Sequence, residues 1–256
     1  MEHELWFTGF LNTILGGLIS PVLAAVGLAP ADPAHPIPDY LAMEILVVLI
    51  ILGGVVILRR QLSEESPGRF QHVVEELVGF IQGTGNEIIG HDGRRYTAML
   101  GTLFIFVALC NLLSLVPAFG VPVPNSKLHI EVSPTGLIQA TLGFAVAAFA
   151  YYNYHGFRQH GLVGYLKHLC GPMMAIAILM FPIEVIGNFG RLLSLSVRLY
   201  ANMLVGGILE HVFGGLIPIA VPVVFMALHL FVSFLQAYIF MLLPAIYISM
   251  AVAEEH

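Results

Sequence analysis

Two arginines, Arg191 and Arg198, lie in a stretch of the chain, residues 172–253, that is otherwise almost wholly apolar. A guanidinium stays protonated even in poor solvent, so neither residue can pass protons along a path. Each is a fixed positive charge, and an ionised side chain inside a membrane faces a protein interior or a water path unless it lies near a helix end. Arg191 could lie near such an end, so Arg198 is the stronger candidate for a function.

The polar residues around these arginines share one face of a predicted helix. Glu184, Arg191 and Arg198 are spaced seven residues apart, and Asn188 and Asn202 each follow one of them by four. Seven residues make almost two helical turns, so all five lie on the same face. No acid of the chain is well placed in sequence to neutralise Arg198, since Glu184 is about 21 Å away along a helix. The simplest inference is that a second chain supplies the acid.

A second polar face is predicted on the last helix, where His229, Ser233 and Gln236 recur at helical spacing. Histidine titrates near neutral pH and is therefore suited to carrying protons. A lone histidine on an apolar helix is also a common core residue, so the pattern by itself leaves both interpretations open.

Composition places these polar faces in a membrane. The chain has 256 residues, of which 58% are hydrophobic and 10% are charged, whereas a soluble domain has about 25% charged residues. Cys110 and Cys170 lie in or beside apolar segments, which favours small buried hydrophobes over a disulfide framework. The sequence shows no nucleotide-binding motif.

The apolar segments predict an all-α, polytopic membrane protein with about five transmembrane helices, in one membrane domain of residues 41–256. The predicted spans are residues 41–58, 96–116, 137–154, 173–215 and 218–253. The segment "RFQHVVEELVGFIQGTGNEII" has apolar residues at helical spacing, which predicts an amphipathic helix on the membrane surface.

Residues 1–40 form an N-terminal segment with its own apolar run. We favour a retained interfacial or partly inserted helix over a cleaved signal peptide, because Glu2 and Glu4 stand where a signal peptide carries basic residues.

The distribution of positive charges predicts the orientation in the membrane. Lys127 alone falls on one side, and seven residues fall on the other: Arg59, Arg60, Arg69, Arg94, Arg95, Arg158 and Lys167. Because Lys and Arg accumulate on the cytoplasmic side, we expect the N-terminus outside and the C-terminus in the cytoplasm.

The last two predicted helices are too long to stand upright in a bilayer. As continuous helices, residues 173–215 and 218–253 would measure roughly 65 and 50 Å, at about 1.5 Å per residue. The hydrocarbon core is only about 30 Å thick, so we expect both helices to be strongly tilted. Two strongly tilted helices are suited to forming a surface that follows the shape of a partner.

Several motifs resemble those of one family, ATP synthase subunit a. The motif S-x-R-L-x-x-N is present as Ser196, Arg198, Leu199 and Asn202. The segments "HLFVSFLQAYIFMLLPAIYISMAVAEEH", "PGRFQHVVEELVGF" and "NLLSLVP" also resemble that family, and the similarity covers about residues 67–256.

The resemblance implies a proton-channel stator subunit of a rotary ATP synthase, without a catalytic site, cofactor or metal of its own. Its partners would be a ring of c subunits with buried carboxylates, b-type peripheral-stalk subunits and the rest of the complex, in a bacterial inner membrane and without nucleic acid. Two aqueous half-channels would carry protons to and from the ring. Arg198 would be the electrostatic gate that faces the ring and keeps the half-channels apart.

The resemblance also assigns roles to the other polar positions. Asn202, His229 and Gln236 match positions of the outer half-channel, and Glu184 matches one of the cytoplasmic half-channel. Polar positions on the same helix are matched by Arg191 and Ser194.

One departure from the family pattern concerns the outer half-channel. Many relatives carry a carboxylate or a histidine where this chain has Gly207, and Ser114 stands where some carry an acid. The nearest substitute in sequence is Glu210, one turn after Gly207, which we expect to work with His229.

Two other classes of protein remain as alternatives. A membrane ion transporter or channel without a rotor would use the same polar faces, but it would show internal repeats and helices broken in pairs, which the sequence lacks. A haem-binding membrane subunit would need facing histidines, and only His211 and His229 lie in the long helices.

Overall fold

The computed structural model consists mainly of helices. It describes residues 5–25, 36–63, 68–90, 93–113, 115, 121–122, 131–132, 134–170, 177–214 and 220–252. The helices are α1 (Trp6–Ala25), α2 (Asp39–Gln61), α3 (Arg69–Ile89), α4 (Gly93–Leu113), α5 (Ile138–Cys170), α6 (Ala177–Gly214) and α7 (Ala220–Val252). Between α4 and α5 lie two short antiparallel strands, β1 (Val121–Pro122) and β2 (Glu131–Val132), and a 3-10 helix, Pro134–Gly136.

This architecture confirms the prediction of an all-α, polytopic membrane protein. Within the described residues, four helical segments are long and apolar enough to cross a membrane, and they lie in α2, α4, α6 and α7. The predicted span at residues 137–154 is helical, as part of α5, but it does not belong to this group. Its apolar content is diluted by polar side chains such as Gln139 and Asn153.

The last two predicted helices are long and continuous. Helix α6 has 38 residues and α7 has 33, which correspond to about 57 and 50 Å at about 1.5 Å per residue. Neither Pro182 in α6 nor Pro244 in α7 divides its helix. Residues 173–176 and 215–219, at the ends of the predicted spans, lie outside the described part of the chain.

Helix α5 is less regular than its length suggests. It has 33 residues and is interrupted at Gly161, which has a φ of 70° and a ψ of 169°. This is a left-handed φ that glycine adopts without the steric penalty of a side chain. The helix therefore bends at Gly161, seven residues beyond the end of the predicted span.

The main core lies where α4, α5, α6 and α7 meet. Leu100 of α4, Leu199 and Met203 of α6, and Phe240 and Met241 of α7 are buried in one cluster. The burial of Leu199 and Met203 fixes the rotation of α6 about its own axis. That rotation decides where the polar residues between and around them point.

The amphipathic segment forms α3, which packs against α4 and α7. Ile81 is buried in the main core, whereas Phe70 and Val73 are exposed. An apolar face that no described residue covers is consistent with the predicted position at the membrane surface.

The N-terminal segment contains α1, which is held against the start of α2 by a pair of hydrogen bonds. The Asn12 side-chain amide donates to the Ile37 carbonyl (3.2 Å), and the Ile37 N–H donates to Asn12 Oδ1 (3.0 Å). Phe7, Leu11 and Ala42 bury their side chains at the same contact. The division of the chain into a segment 1–40 and a membrane domain 41–256 stays a prediction.

Helices α3 and α4 approach each other closely at Gly85 and Gly93. A Cβ atom added at Gly93 would lie 2.5 Å from the Gly85 carbonyl oxygen and 2.7 Å from the Asn86 nitrogen. Real side chains do not tolerate such distances, and the obstructing atoms belong to the backbone. Only glycine at position 93 lets the two helices meet so closely.

We therefore expect Gly93→Ala to force α3 and α4 apart and to lower the free energy of unfolding by about 1–3 kcal/mol, as overpacking does. Thermal unfolding of the purified chain in detergent would measure the effect. Gly79→Ala is the matched control on α3, because a Cβ there meets nothing within 4 Å. Equal melting temperatures for the two variants would contradict this account of the contact.

Candidate functional site in the last two helices

Arg198 lies on an exposed, apolar face of α6. Its neighbours in sequence, Val197 and Leu199, are exposed by 50% and 0%, so the helix surface turns from open to buried across this position. Leu193 and Val205, on the open side of the helix, are exposed by 57% and 51%. Among the described residues, no carboxylate lies within 4 Å of the Arg198 guanidinium. This agrees with the inference that the counter-charge does not come from the described part of the chain.

Arg191, two turns earlier, has a counter-charge within its own helix. Its guanidinium donates to Glu184 Oε1 at 2.9 Å, and both side chains are only partly exposed. The same guanidinium lies over the ring of Tyr247 on α7, 5.6 Å from the ring centroid. The carboxylate and the aromatic face together hold Arg191 in place and balance its charge.

The five polar residues predicted to share one face of α6 do not all point in the same direction. Asn188 is buried against α5, where the Tyr152 hydroxyl donates to Asn188 Oδ1 and Asn188 Nδ2 donates to Asn153 Oδ1 (3.2 Å). The five residues do lie within a narrow arc of α6, as their spacing predicts. Helix α5 covers one side of that arc, at Asn188, and leaves the other side open.

The two predicted polar faces meet between α6 and α7. Asn202 Nδ2 donates to Gln236 Oε1 at 2.5 Å, and Gln236 itself is fully buried. His229 and Ser233 are also buried, on the same side of α7. Asn202 and Gln236, which the resemblance assigns to the same half-channel, are thus in direct contact between two helices.

His229 lies against a glycine of α6. A Cβ added at Gly206 would be 3.2 Å from His229 Nε2 and 3.4 Å from the other near atoms of the ring. Gly206 is four residues after Asn202, and His229 is seven residues before Gln236, so α6 and α7 run antiparallel through this region. The missing side chain at Gly206 creates the space that the imidazole occupies.

Two predicted positions remain to be placed. Ser194 is exposed on α6, between Arg191 and Arg198. The side chain of Glu210 lies outside the described residues, and its expected pairing with His229 stays a prediction. Gly207 is buried.

Sequence reasoning missed a third group of buried polar side chains, between α2, α4 and the 3-10 helix. The Thr135 hydroxyl donates to Asn111 Oδ1, and both residues are fully buried. Glu44 of α2 also turns one carboxylate oxygen inward. These residues are isolated from one another in sequence, so no spacing pattern could group them. The sequence could have indicated each of these residues only as a single polar residue within an apolar segment.

No group of three or more His, Cys, Asp or Glu side chains that could hold a metal ion occurs in the described part of the chain. Along α6 and α7, Arg198 supplies a fixed charge, and His229, Ser233 and Gln236 supply buried hydrogen-bonding groups.

The fold and these side chains define a polytopic, all-α membrane protein that carries a row of ionised and polar groups along its last two helices. The model of the ATP synthase A chain family matches residues 41–249. The chain belongs to this family, as its motifs predicted, and it is a membrane subunit of an ATP synthase.

Individual relatives support this assignment along the whole chain. ATP synthase subunit a of Koribacter versatilis is 40% identical over 256 residues, which cover 100% of both chains. ATP synthase subunit a of Solibacter usitatus is 44% identical over 245 residues, which cover 96% of this chain and 99% of the relative.

The contact between Gly206 and His229 gives a graded test. Gly206→Ala should displace the imidazole by a few tenths of an ångström, and Gly206→Val should displace it further, because the added atoms fall within van der Waals distance of the ring. We expect ATP-driven proton pumping by the assembled complex to fall in that order. Gly143→Ala in α5, which meets nothing within 4 Å, is the control. Wild-type pumping by Gly206→Val would show that the ring position has no functional importance.

Proposed function

We propose that this chain is the stator of the membrane motor, and that it conducts protons through two half-channels separated by Arg198. The observation that carries the proposal is the position of Arg198 on an exposed apolar surface without a described counter-charge. A cation facing lipid there would cost several kcal/mol. A partner that presents a carboxylate to this surface removes that cost.

The partner that fits is the ring of c subunits, each with one buried carboxylate. A carboxylate arriving opposite Arg198 would be drawn into its charged form, because an opposite charge a few ångströms away favours ionisation. Its proton would leave by one half-channel, and a new proton would come from the other. Each proton-loaded site could then rotate away from Arg198 into lipid.

The half-channel on the C-terminal side of Arg198 is formed by α6 and α7. It begins at Asn202, one turn after Arg198, and continues through Gln236, Ser233 and His229. Ser233 Oγ and Gln236 Nε2 are buried without a hydrogen-bond partner among the described residues. Buried polar atoms in this state are suited to holding water, which would complete the path.

The other half-channel is proposed to run past Glu184. Its carboxylate is paired with Arg191 but remains partly exposed, so it can also accept a proton from water. Ser194 adds a hydroxyl between this ion pair and Arg198. We assign Glu184 as the proton-exchanging group and Arg191 as the residue that holds it in place.

Arg198 separates the two paths because of the permanence of its charge. A proton approaching from either side is an additional positive charge, and it is repelled by a guanidinium that cannot give up its own proton. Lysine would be a poorer barrier, since a buried ammonium can lose its proton.

We place the chain in a bacterial inner membrane, with the N-terminus outside and the C-terminus in the cytoplasm. The bias of Lys and Arg across the predicted loops supports this orientation. The α6–α7 path through His229 would then open to the outside, and the Glu184 path would open to the cytoplasm. The b-type peripheral-stalk subunits would keep the chain from turning with the ring.

The decisive experiment is the replacement of Arg198 in the intact complex. Arg198→Ala should abolish ATP synthesis and ATP-driven proton pumping in vesicles while the complex still assembles. Arg198→Lys should fail as well, because its charge is not permanent. Arg158→Ala is the control, since Arg158 is an exposed arginine on α5, beyond the predicted span. Normal pumping by Arg198→Ala would refute the gate.

The ion pair gives a second prediction. Glu184→Gln should slow proton pumping several-fold without abolishing it, because water can still reach this end of the path. Loss of the carboxylate also leaves Arg191 without its partner, so Glu184→Asp should preserve more activity than Glu184→Gln. Comparable loss in both variants would mean that side-chain length, and not charge, is what matters at this position.

A further inference from the structure

Glu44 differs from the other described acids whose contacts are known. Glu184 pairs with Arg191, and Asp39 accepts a hydrogen bond from the Leu5 N–H (3.4 Å). Glu75 accepts one from Gln71 at 2.7 Å. Oε1 of Glu44 is buried and has no hydrogen-bond partner among the described residues.

An acid of this kind is costly inside an apolar helix. Burial of an ionised carboxylate without a partner is strongly unfavourable. On α2 the nearest described cation along the helix is Arg59, fifteen residues or about 22 Å away. An ionisable residue in a membrane helix is by default a functional residue.

Few titratable groups of the described residues surround Glu44. Tyr40 on the same helix and Cys110 on α4 interact electrostatically with its carboxylate. Helix α1, strand β1 and the 3-10 helix, which also pack against α2, contribute no titratable side chain. Helix α3 approaches α2 at its other end, near the bonds between Gln71 and Ser63.

The position of Glu44 relates it to the path through His229. Met43, the residue before it, belongs to one apolar cluster with Leu137, Leu204 and Ile208. Leu204 and Ile208 lie on either side of Gly206 in α6, the glycine that contacts His229. Glu44 thus follows directly on a residue that packs in one cluster with the turns of α6 around Gly206.

The 3-10 helix packs against both α2, which carries Glu44, and α6. The buried Asn111–Thr135 pair lies between α4 and this 3-10 helix. Gly206 and Gly207 bring no side chain to the turn of α6 between Leu204 and Ile208.

We propose that Glu44 is a proton-binding group of the half-channel that contains His229. A hydronium ion gives its proton to the carboxylate and becomes water. The resulting carboxylic acid later gives the proton to the next acceptor along the path and is ionised again. This inference rests on the proposed function, because it assigns a further group to the same path.

The first test replaces Glu44 by an isosteric neutral residue in the complete ATP synthase. The Glu44→Gln complex is reconstituted in vesicles, and passive proton conduction is measured after removal of the catalytic head. We expect a loss of about 100-fold, which is the lower end of the range for a lost acid–base group. Glu76→Gln on the exposed face of α3 is the control and should conduct normally.

The second test separates proton binding from a structural role. Glu44→Asp keeps the carboxyl group, whose intrinsic pKa is lower by about 0.4 than that of glutamate. If Glu44 binds the transported proton, the midpoint of conduction against pH on the His229 side should move to lower pH in this variant. A residue that only supports packing would change the amount of complex without moving the midpoint.

Two results would overturn the assignment of Glu44. One is normal conduction by Glu44→Gln; the other is an unchanged pH midpoint in Glu44→Asp, which also decides the question if Glu44→Gln does not assemble. Arg198→Ala, measured in parallel, tests the proposed function separately. If Arg198→Ala abolishes pumping while both Glu44 variants behave as wild type, only the inference about Glu44 fails.

Discussion

A permanent charge is costly to hold in a membrane, and this cost governs how the polar groups of α6 and α7 are arranged around Arg198. Arg198 cannot be neutralised by losing its proton, and no described carboxylate lies next to it. Helix α6 buries Leu199 and leaves Arg198 at the edge of the buried face. In the proposed function, a partner surface supplies the carboxylate that balances the charge of Arg198, and the other polar groups carry protons to and from that carboxylate.

Much of this could be predicted from the sequence because membrane helices follow simple physical rules. Composition and apolar run length gave the all-α class, and motif resemblance gave the family. Helical spacing also predicted the two polar faces, on α6 and on α7, that meet at the contact between Asn202 and Gln236. These predictions depended on local periodicity, which a sequence displays directly.

The rest depended on which helices become neighbours, and this information is spread along the chain. Asn188 shared the predicted polar face, yet α5 covers it and Tyr152 binds it. Glu44 is far from the site in sequence, but its helix α2 packs with the 3-10 helix and with residues of α6. The contact of His229 with Gly206 required the absence of a side chain, which no search for chemical groups would select.

The polar contacts of α6 also have a mechanical consequence. This helix is tied to α5 by Asn188 and by the hydroxyls of Thr141 and Ser196 (3.3 Å), and to α7 by the amide of Asn202. From Asn188 to Asn202 these attachments are distributed over about 21 Å of its length. Directional bonds at several levels resist sliding and rolling, which apolar packing alone resists poorly. In the proposed function, these bonds would keep Arg198 in place while the rotating ring exerts a lateral force on α6.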